Sequence, residues 1–278
     1  MVVHAFTVDV EDWFDGIPVG PDVKAAAVPR LEHGLGRLLD LLAEHHTRGT
    51  FFFLGPIAER HPSLVRRVAQ AGHEIGCHGW SHDLLYEMGR DRFREETRRA
   101  QRTLSDRLGL AIRAYRAAYF SITNKSLWAL EELAALQFRY DSSIFPIRNW
   151  RYGIPGYPPR PQLVATPSGP ILELPMSVRR ILGRTIAVTG GAYFRIYPYA
   201  LSRANLRAHE RSRGPAVFYL HPWELDPDHP RVPFAARPRL THYFNLAATE
   251  PRLRRLLADF RFAPLGEVLE HELPGSGT

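Results

Sequence analysis

Val2–Val10 is a run of apolar and β-branched positions that ends in acids, the pattern of a buried strand. Leu35–His46 places apolar residues at 35, 38, 39, 41 and 42, which line one face of a helix. Thr50–Leu54 (TFFFL) predicts a second short strand. Pro62–Ala71 starts with proline in a first-turn position and stops at Gly72, so both helix boundaries are marked. His73–Cys77 predicts a third strand, and Asp91 a cap for a long charged helix that runs to Gly109. Ile112–Arg116 and Phe138–Asp141 predict strands with a helix between them, from about Lys125 to Gln137. Ile171–Leu174, Ala187–Thr189 and Ala216–His221 complete the strands, and Thr249-Glu250-Pro251 opens a last basic helix that ends near Asp259. Strands alternating with helices imply an α/β fold, a parallel sheet or barrel with helices outside.

Two stretches break this rhythm. Phe145–Pro170 is rich in Pro, Tyr, Arg and Gly, and His221–Leu240 is crowded with Pro, His and Asp. Irregular loops of that length inside a compact domain are characteristic of functional segments. No internal repeat is present, and the final Gly-Ser-Gly-Thr reads as a frayed tail.

Composition narrows the classes. With 278 residues, 45% of them hydrophobic, the chain can bury a sizeable core, which excludes wholesale disorder. A single cysteine, Cys77, excludes a disulfide scaffold and a Cys-rich zinc module. No run approaches the roughly 20 apolar residues of a membrane span. MVVHAFTVDVEDWF carries acids where a secretion signal needs a basic start, so a cytoplasmic location is the expectation. The net charge of +7 is spread over arginines such as Arg66/Arg67, Arg98/Arg99 and Arg254/Arg255, which reads as a solvated basic surface, with no specific nucleic-acid partner.

Acids and histidines gather at predicted strand ends, and in parallel α/β folds the carboxyl ends of strands share one rim. Asp9, Glu11 and Asp12 end the first strand, His78 and His82 follow the third, and His221 ends a late one. His78 and His82 are four apart; on a helical turn through Trp80-Ser81 both imidazoles would point one way, a spacing that suits one metal. A carboxylate with two histidines is a common ligand set for a hydrolytic metal. Asp9 and Glu11 alternate with Val8 and Val10 and so face one side of a regular strand; Asp12 joins them only if the strand ends or bulges. One acid would hold the metal while another takes a proton from an attacking water. His221 can protonate a leaving amine, and Arg116, at a strand end like Asp141, can orient a carboxylate. Trp13, Tyr119, Trp150, Tyr152, Tyr157, Tyr193 and Trp223 could stack on sugar rings, with Trp13, Tyr119, Tyr193 and Trp223 the expected substrate contacts. Cys77 should point away from the histidines, buried and inert.

Together the motifs FTVDVEDWF, TFFFLG, GHEIGCHGWSH, YRAAYFSIT, YDSSIFP, ELPMS, GGAYFRIYPY, FYLHPWELDPDHPR and THYFNLAATEPRLRRLLADFRFAPL span nearly the whole chain. In this order they resemble the NodB-type polysaccharide deacetylases of carbohydrate esterase family 4, and are most similar to the subgroup found with exosortase and exopolysaccharide gene clusters. The resemblance implies a distorted (β/α) barrel of about seven strands, with long irregular loops at the active-site rim. It implies one domain over 1–272, with a subgroup-specific extension from about 220, and a flexible tail at 273–278. It also implies a divalent metal, usually zinc, with cobalt or another divalent ion also compatible. The implied chemistry is hydrolysis of N-acetyl, sometimes O-acetyl, groups on sugar polymers.

By motif, the resemblance makes His78 and His82 metal ligands, Asp9 the general base, Arg116 its orienter and His221 the general acid. Asp141 takes the position from which relatives support that histidine. The usual adjacent acid pair is D-V-E-D here, so the third ligand is Asp12, favoured as an aspartate, or Glu11. Ala118 stands where the arginine motif usually has proline. The expected function is removal of N-acetyl groups from amino sugars of a bacterial exopolysaccharide or its precursor. A lipid-linked precursor at the inner face of the membrane would reconcile that substrate with a cytoplasmic location. The rivals are an allantoinase-like or deformylase-like amide hydrolase and a non-catalytic carbohydrate-binding module. The oligomeric state is open.

Overall fold

A computed structural model of the chain describes residues 2–17 and 19–274. The final Gly-Ser-Gly-Thr lies outside the described residues. The strands are β1 (Val3–Val10), β2 (Thr50–Phe53), β3 (Glu74–Cys77), β4 (Ala114–Tyr115), β5 (Tyr140–Asp141), β6 (Gln162–Val164), β7 (Ile171–Glu173), β8 (Val178–Ile181), β9 (Arg184–Ala187), β10 (Val217–Leu220) and β11 (Arg261–Ala263). The main sheet has nine strands in the order β10-β1-β2-β3-β4-β5-β7-β6, with β11 joined to β1. Setting aside β11 and the antiparallel edge strand β6, seven parallel strands remain. They curl into a half-barrel, so the fold is the α/β barrel type expected, left open between β10 and β6 among the described residues.

Alternation along β1 decides which side faces what. Phe6, Val8 and Val10 join the outer core, where Leu35, Leu38 and Leu42 of the helix Leu31–Glu44 cover the sheet. Ala5 belongs to a second cluster inside the curl, with Phe52, Val217 and Tyr219; Leu265, Val268 and Leu269 of the helix Leu265–Glu272 plug its lower end. Thr7 and Asp9 share the inner face with Ala5. The register then brings the strand ends level: Val10 pairs with Phe53, Phe53 with Cys77, Cys77 with Tyr115, Tyr115 with Asp141, and Val8 with Leu220. Glu11, His78, Arg116 and His221 each follow one of these positions and emerge along one rim.

Several elements differ from the sequence reading. Ala187–Thr189 is not a strand of the main sheet. Its region forms a separate antiparallel hairpin, β8 with β9, turned through Leu182 and Gly183, both at positive φ, as a two-residue turn with right-handed strand twist requires. Gly89, not Asp91, stands at the cap of the helix Arg90–Leu108; Asp91 lies in its first turn. The helices Tyr199–Arg213 and Leu265–Glu272 and the strands β6, β8 and β11 lie outside the elements that the sequence pattern predicts, although Pro198 and Gly214 flank the first helix and Pro264 precedes the second. Among the described residues no helix is long and apolar enough to cross a membrane.

Candidate active site

Glu11, His78 and His82 converge on one point. Oε1 of Glu11 lies 2.9 Å from Nε2 of His78 and 2.9 Å from Nε2 of His82. His78 Nδ1 donates to the Arg116 carbonyl at 2.8 Å, which assigns the ring proton to Nδ1 and turns the Nε2 lone pair towards the carboxylate. A lone pair facing a carboxylate oxygen at that distance is repulsive unless a proton or a cation lies between them. A buried set of two imidazoles and one carboxylate therefore fits a divalent ion of the zinc type. The segment between the histidines is not a helical turn: Gly79 (φ +84°) and His82 (φ +58°) both take the left-handed conformation, which folds His82 back onto Glu11. The His82 ring rests on Tyr119, with centroids 4.5 Å apart, while its Nδ1 is buried without a partner among the described residues.

Asp12, favoured above as third ligand, is engaged elsewhere. Its carboxylate accepts the backbone N–H groups of Trp13 at 2.8 Å, Arg30 at 3.0 Å and Leu31 at 3.1 Å, anchoring the start of the helix Leu31–Glu44. The alternative, Glu11, occupies the position beside the histidines because it continues the inward alternation of Asp9. Trp13 likewise lies away from the cavity: it is buried, donates Nε1–H to the Val28 carbonyl and stacks on His229. Cys77 is buried in the outer core, and burial pushes its thiol up to about 12.

Arg116 runs through the inside of the curl with no exposure at all. It donates to Asp9 Oδ1 at 3.0 Å and Thr7 Oγ1 at 2.8 Å, and to the carbonyl and hydroxyl of Ser142 at 2.8 and 2.9 Å. A buried guanidinium with every direction fixed holds the Asp9 carboxylate in one orientation. Asp141 is not hydrogen-bonded to His221. It accepts the Ser143 hydroxyl at 2.6 Å and sits beside Glu173 across the β5–β7 register. Burial and the neighbouring Asp141 carboxylate push Glu173 well above the usual range.

The group that does support His221 is Glu224, three residues on, in the 3₁₀ turn Pro222–Leu225. One oxygen of Glu224 accepts both the His221 backbone N–H at 3.0 Å and Nδ1–H at 2.9 Å. The other accepts Nε–H of the buried Arg195 at 2.6 Å, and Arg195 also donates to the carbonyls of His242 and Phe244. Burial alone would lower His221; the bond to Glu224 and the Glu11 and Asp9 carboxylates outweigh it and hold the imidazole up to about 9. Burial would raise Glu224, but Arg195 and His221 draw it down to about 2. The turn is held close to the helix Leu31–Glu44 because a side chain at Gly34 would meet the Pro222 carbonyl oxygen at 2.1 Å.

A cavity of about 210 Å³ opens over these groups, with Asp9, Glu11, His78 and His82 on its floor. That is below the roughly 300–1,000 Å³ of a typical small-molecule site, so it admits one end of a ligand. Tyr119, Tyr152, Trp223 and His242 form walls, with Trp223 stacked between His221 and His242. Tyr193 stands behind Tyr152, their hydroxyls 3.4 Å apart; Trp150 is 79% exposed, and Tyr157 packs on the outer core.

Residues 20–138 match the polysaccharide deacetylase family and residues 142–270 match a domain of unknown function, DUF3473. His78, His82 and Arg116 fall in the first match, His221, Glu224 and Arg195 in the second, and Asp9 and Glu11 precede both. Over 97 residues the chain is 36% identical to a peptidoglycan-N-acetylglucosamine deacetylase of Bacillus cereus, covering 34% of this chain and 35% of that one. The chain thus spans about a third of that relative's length. A Mycobacterium smegmatis crystal structure, named as a candidate polysaccharide deacetylase, superposes with a TM-score of 0.65 at 24% identity, over 97% of this chain and 89% of that one. A carbohydrate esterase family 4 pseudoenzyme from Bacillus anthracis has the same fold, with a TM-score of 0.52 at 11% identity, over 97% and 66% of the two chains.

Proposed function

We propose that the chain, which matches the polysaccharide deacetylase family over residues 20–138, is a metal-dependent hydrolase of the NodB, carbohydrate esterase family 4 type that removes N-acetyl groups from amino sugars. The observation that carries this reading is the cavity floor, where a three-donor set stands beside a carboxylate fixed by a buried arginine. Glu11, His78 and His82 would hold the ion, which when bound supplies a Lewis acid that polarises the acetamide carbonyl and acidifies water.

The chain's own residues then divide the proton work. Asp9, kept in orientation by Arg116, takes a proton from water as the water oxygen bonds to the acetyl carbon. The carbon–nitrogen bond breaks, and the nitrogen receives the proton of His221, leaving acetate and a free amine. A histidine held up to about 9 is charged at neutral pH and so ready to donate. Asp141, assigned by resemblance to support the histidine, is replaced in that role by Glu224 and Arg195.

We assign the substrate to the N-acetylated polymer of a bacterial exopolysaccharide or its precursor, in keeping with the relative that acts on an N-acetylglucosamine polymer. An amide or formyl hydrolase would share the floor residues and differ in the acyl product. A non-catalytic carbohydrate-binding module is the reading that the pseudoenzyme of the same fold keeps in view. Metal content beside acetate release tests all three. About one ion per chain, lost in a His78→Ala/His82→Ala variant, together with acetate from N-acetylglucosamine oligomers, supports the deacetylase. Metal without acetate but with another acyl product supports the first rival, and absence of metal after zinc or cobalt addition supports the second.

A further inference from the structure

We propose that Arg151 and Trp150 form a subsite at the cavity mouth for an acidic group, carboxylate or phosphate, carried by the glycan beside the sugar that is deacetylated. The inference deepens the deacetylase reading and rests on it for the identity of the glycan. Arg151 is the one arginine or lysine lining the cavity among the described residues. Arg90, Arg92, Arg94, Arg195 and Arg254 all have carboxylate partners, whereas Arg151 has no carboxylate oxygen within the 4.0 Å limit of an ion pair among the described residues. None of its side-chain N–H groups finds an acceptor there either.

Its position is nevertheless fixed. The guanidinium lies over Tyr119 at 4.8 Å and over Trp150 at 4.7 Å from the ring centroids. Its backbone N–H donates to Asn149 at 3.0 Å and its carbonyl accepts the Tyr86 hydroxyl at 2.9 Å. These ring contacts use none of the five guanidinium N–H donors, whose planar fork suits bidentate recognition of an oxyanion. Tyr119 in turn touches the His82 ring, so the charge sits one aromatic residue away from the reacting floor. Trp150, 79% exposed, extends the same stack outwards and offers a flat apolar face to the next sugar ring.

The test is calorimetric binding of three probes to the full-length protein loaded with zinc: a neutral N-acetylglucosamine tetrasaccharide, a tetrasaccharide alternating N-acetylglucosamine with glucuronate, and a diphosphate-linked N-acetylglucosamine. Asp9→Asn is used throughout so that no probe is consumed. Tighter binding of either acidic probe than of the neutral one, weakened about tenfold by Arg151→Gln and partly restored by Arg151→Lys, supports the subsite. The probe that responds tells carboxylate from phosphate. Trp150→Ala should weaken all three probes by a similar factor, since stacking does not read charge. Equal affinity for neutral and acidic probes, or equal losses in Arg151→Gln, overturns the proposal. Acetate release by the wild-type protein is measured separately: acid-selective binding without acetate would sink the deacetylase reading and keep the subsite, while acetate without acid selectivity would do the reverse.

Discussion

A single oxygen of Glu224 receives two hydrogen bonds from His221, one from its backbone N–H at 3.0 Å and one from its ring Nδ1–H at 2.9 Å. Main chain and imidazole are thereby tied to the same anchor, and Nε2 is left to face the cavity. Glu224 is itself held by Arg195, so the ring's charge and direction come from one buried chain of groups.

That chain predicts the pH behaviour. A histidine that acts as an acid must be charged, and Glu224, together with the Glu11 and Asp9 carboxylates, holds His221 up to about 9. Activity should fall as pH rises through that region. In Glu224→Gln the anion is gone, and the alkaline limb should move down towards the ordinary histidine value of about 6.5. At pH 8 kcat should then drop about tenfold or more, with metal content unchanged. A kcat–pH profile with an unmoved limb would remove Glu224 from the proton path.

Glu11 and Asp12 separate by readout. Glu11→Ala should lose bound metal while the fold persists. Asp12→Ala should keep its metal but lose about 1–3 kcal/mol of stability, because three backbone N–H groups lose their acceptor. Metal analysis and urea denaturation of both variants decide the matter; metal loss in Asp12→Ala alone would reverse the assignment.

Asp9→Asn should bind metal as the wild type does and lose roughly 10²–10⁴-fold in kcat. Arg116→Met should be worse than Asp9→Asn in stability, since it strips a buried carboxylate of its cation, a change that typically costs about 3–5 kcal/mol. Thermal denaturation beside acetate release distinguishes the two effects.

Gly34→Ala probes the turn that carries the acid. The new methyl group would press on the Pro222 carbonyl, and overpacking of this kind costs about 1–3 kcal/mol. Because the strain falls on the His221 turn and not on Glu11, His78 and His82, the ligand set proposed, kcat should fall while metal occupancy holds. Equal loss of both would mean that the two halves of the floor move together.

Much of the site was legible because strand alternation and strand ends are local signals. Asp9 and Glu11 face inwards by the period of β1, and His78 and His221 emerge where β3 and β10 stop. The choice between Glu11 and Asp12 needed the place where the strand leaves the sheet, which single-chain patterning does not mark. Trp13 resembles any other rim aromatic until Val28 and His229 are brought to it. Glu224 was hidden for a different reason: its role depends on a 3₁₀ turn after His221 and on Arg195, which lies on the separate short helix Gly191–Ile196. Hydrophobic periodicity reports which side is buried, and a buried ion-paired network breaks that rule.

The pairing of Ala5 with Val217 also has a temporal side. On the ribosome β1 is made first, yet one of its edges waits more than two hundred residues for β10, so this closure has high contact order and comes late. Until then an apolar strand edge stands open to wrong partners. Glu11, His78 and His82, the donor set proposed for the ion, are made well before His221 and Glu224, the pair proposed to deliver the proton.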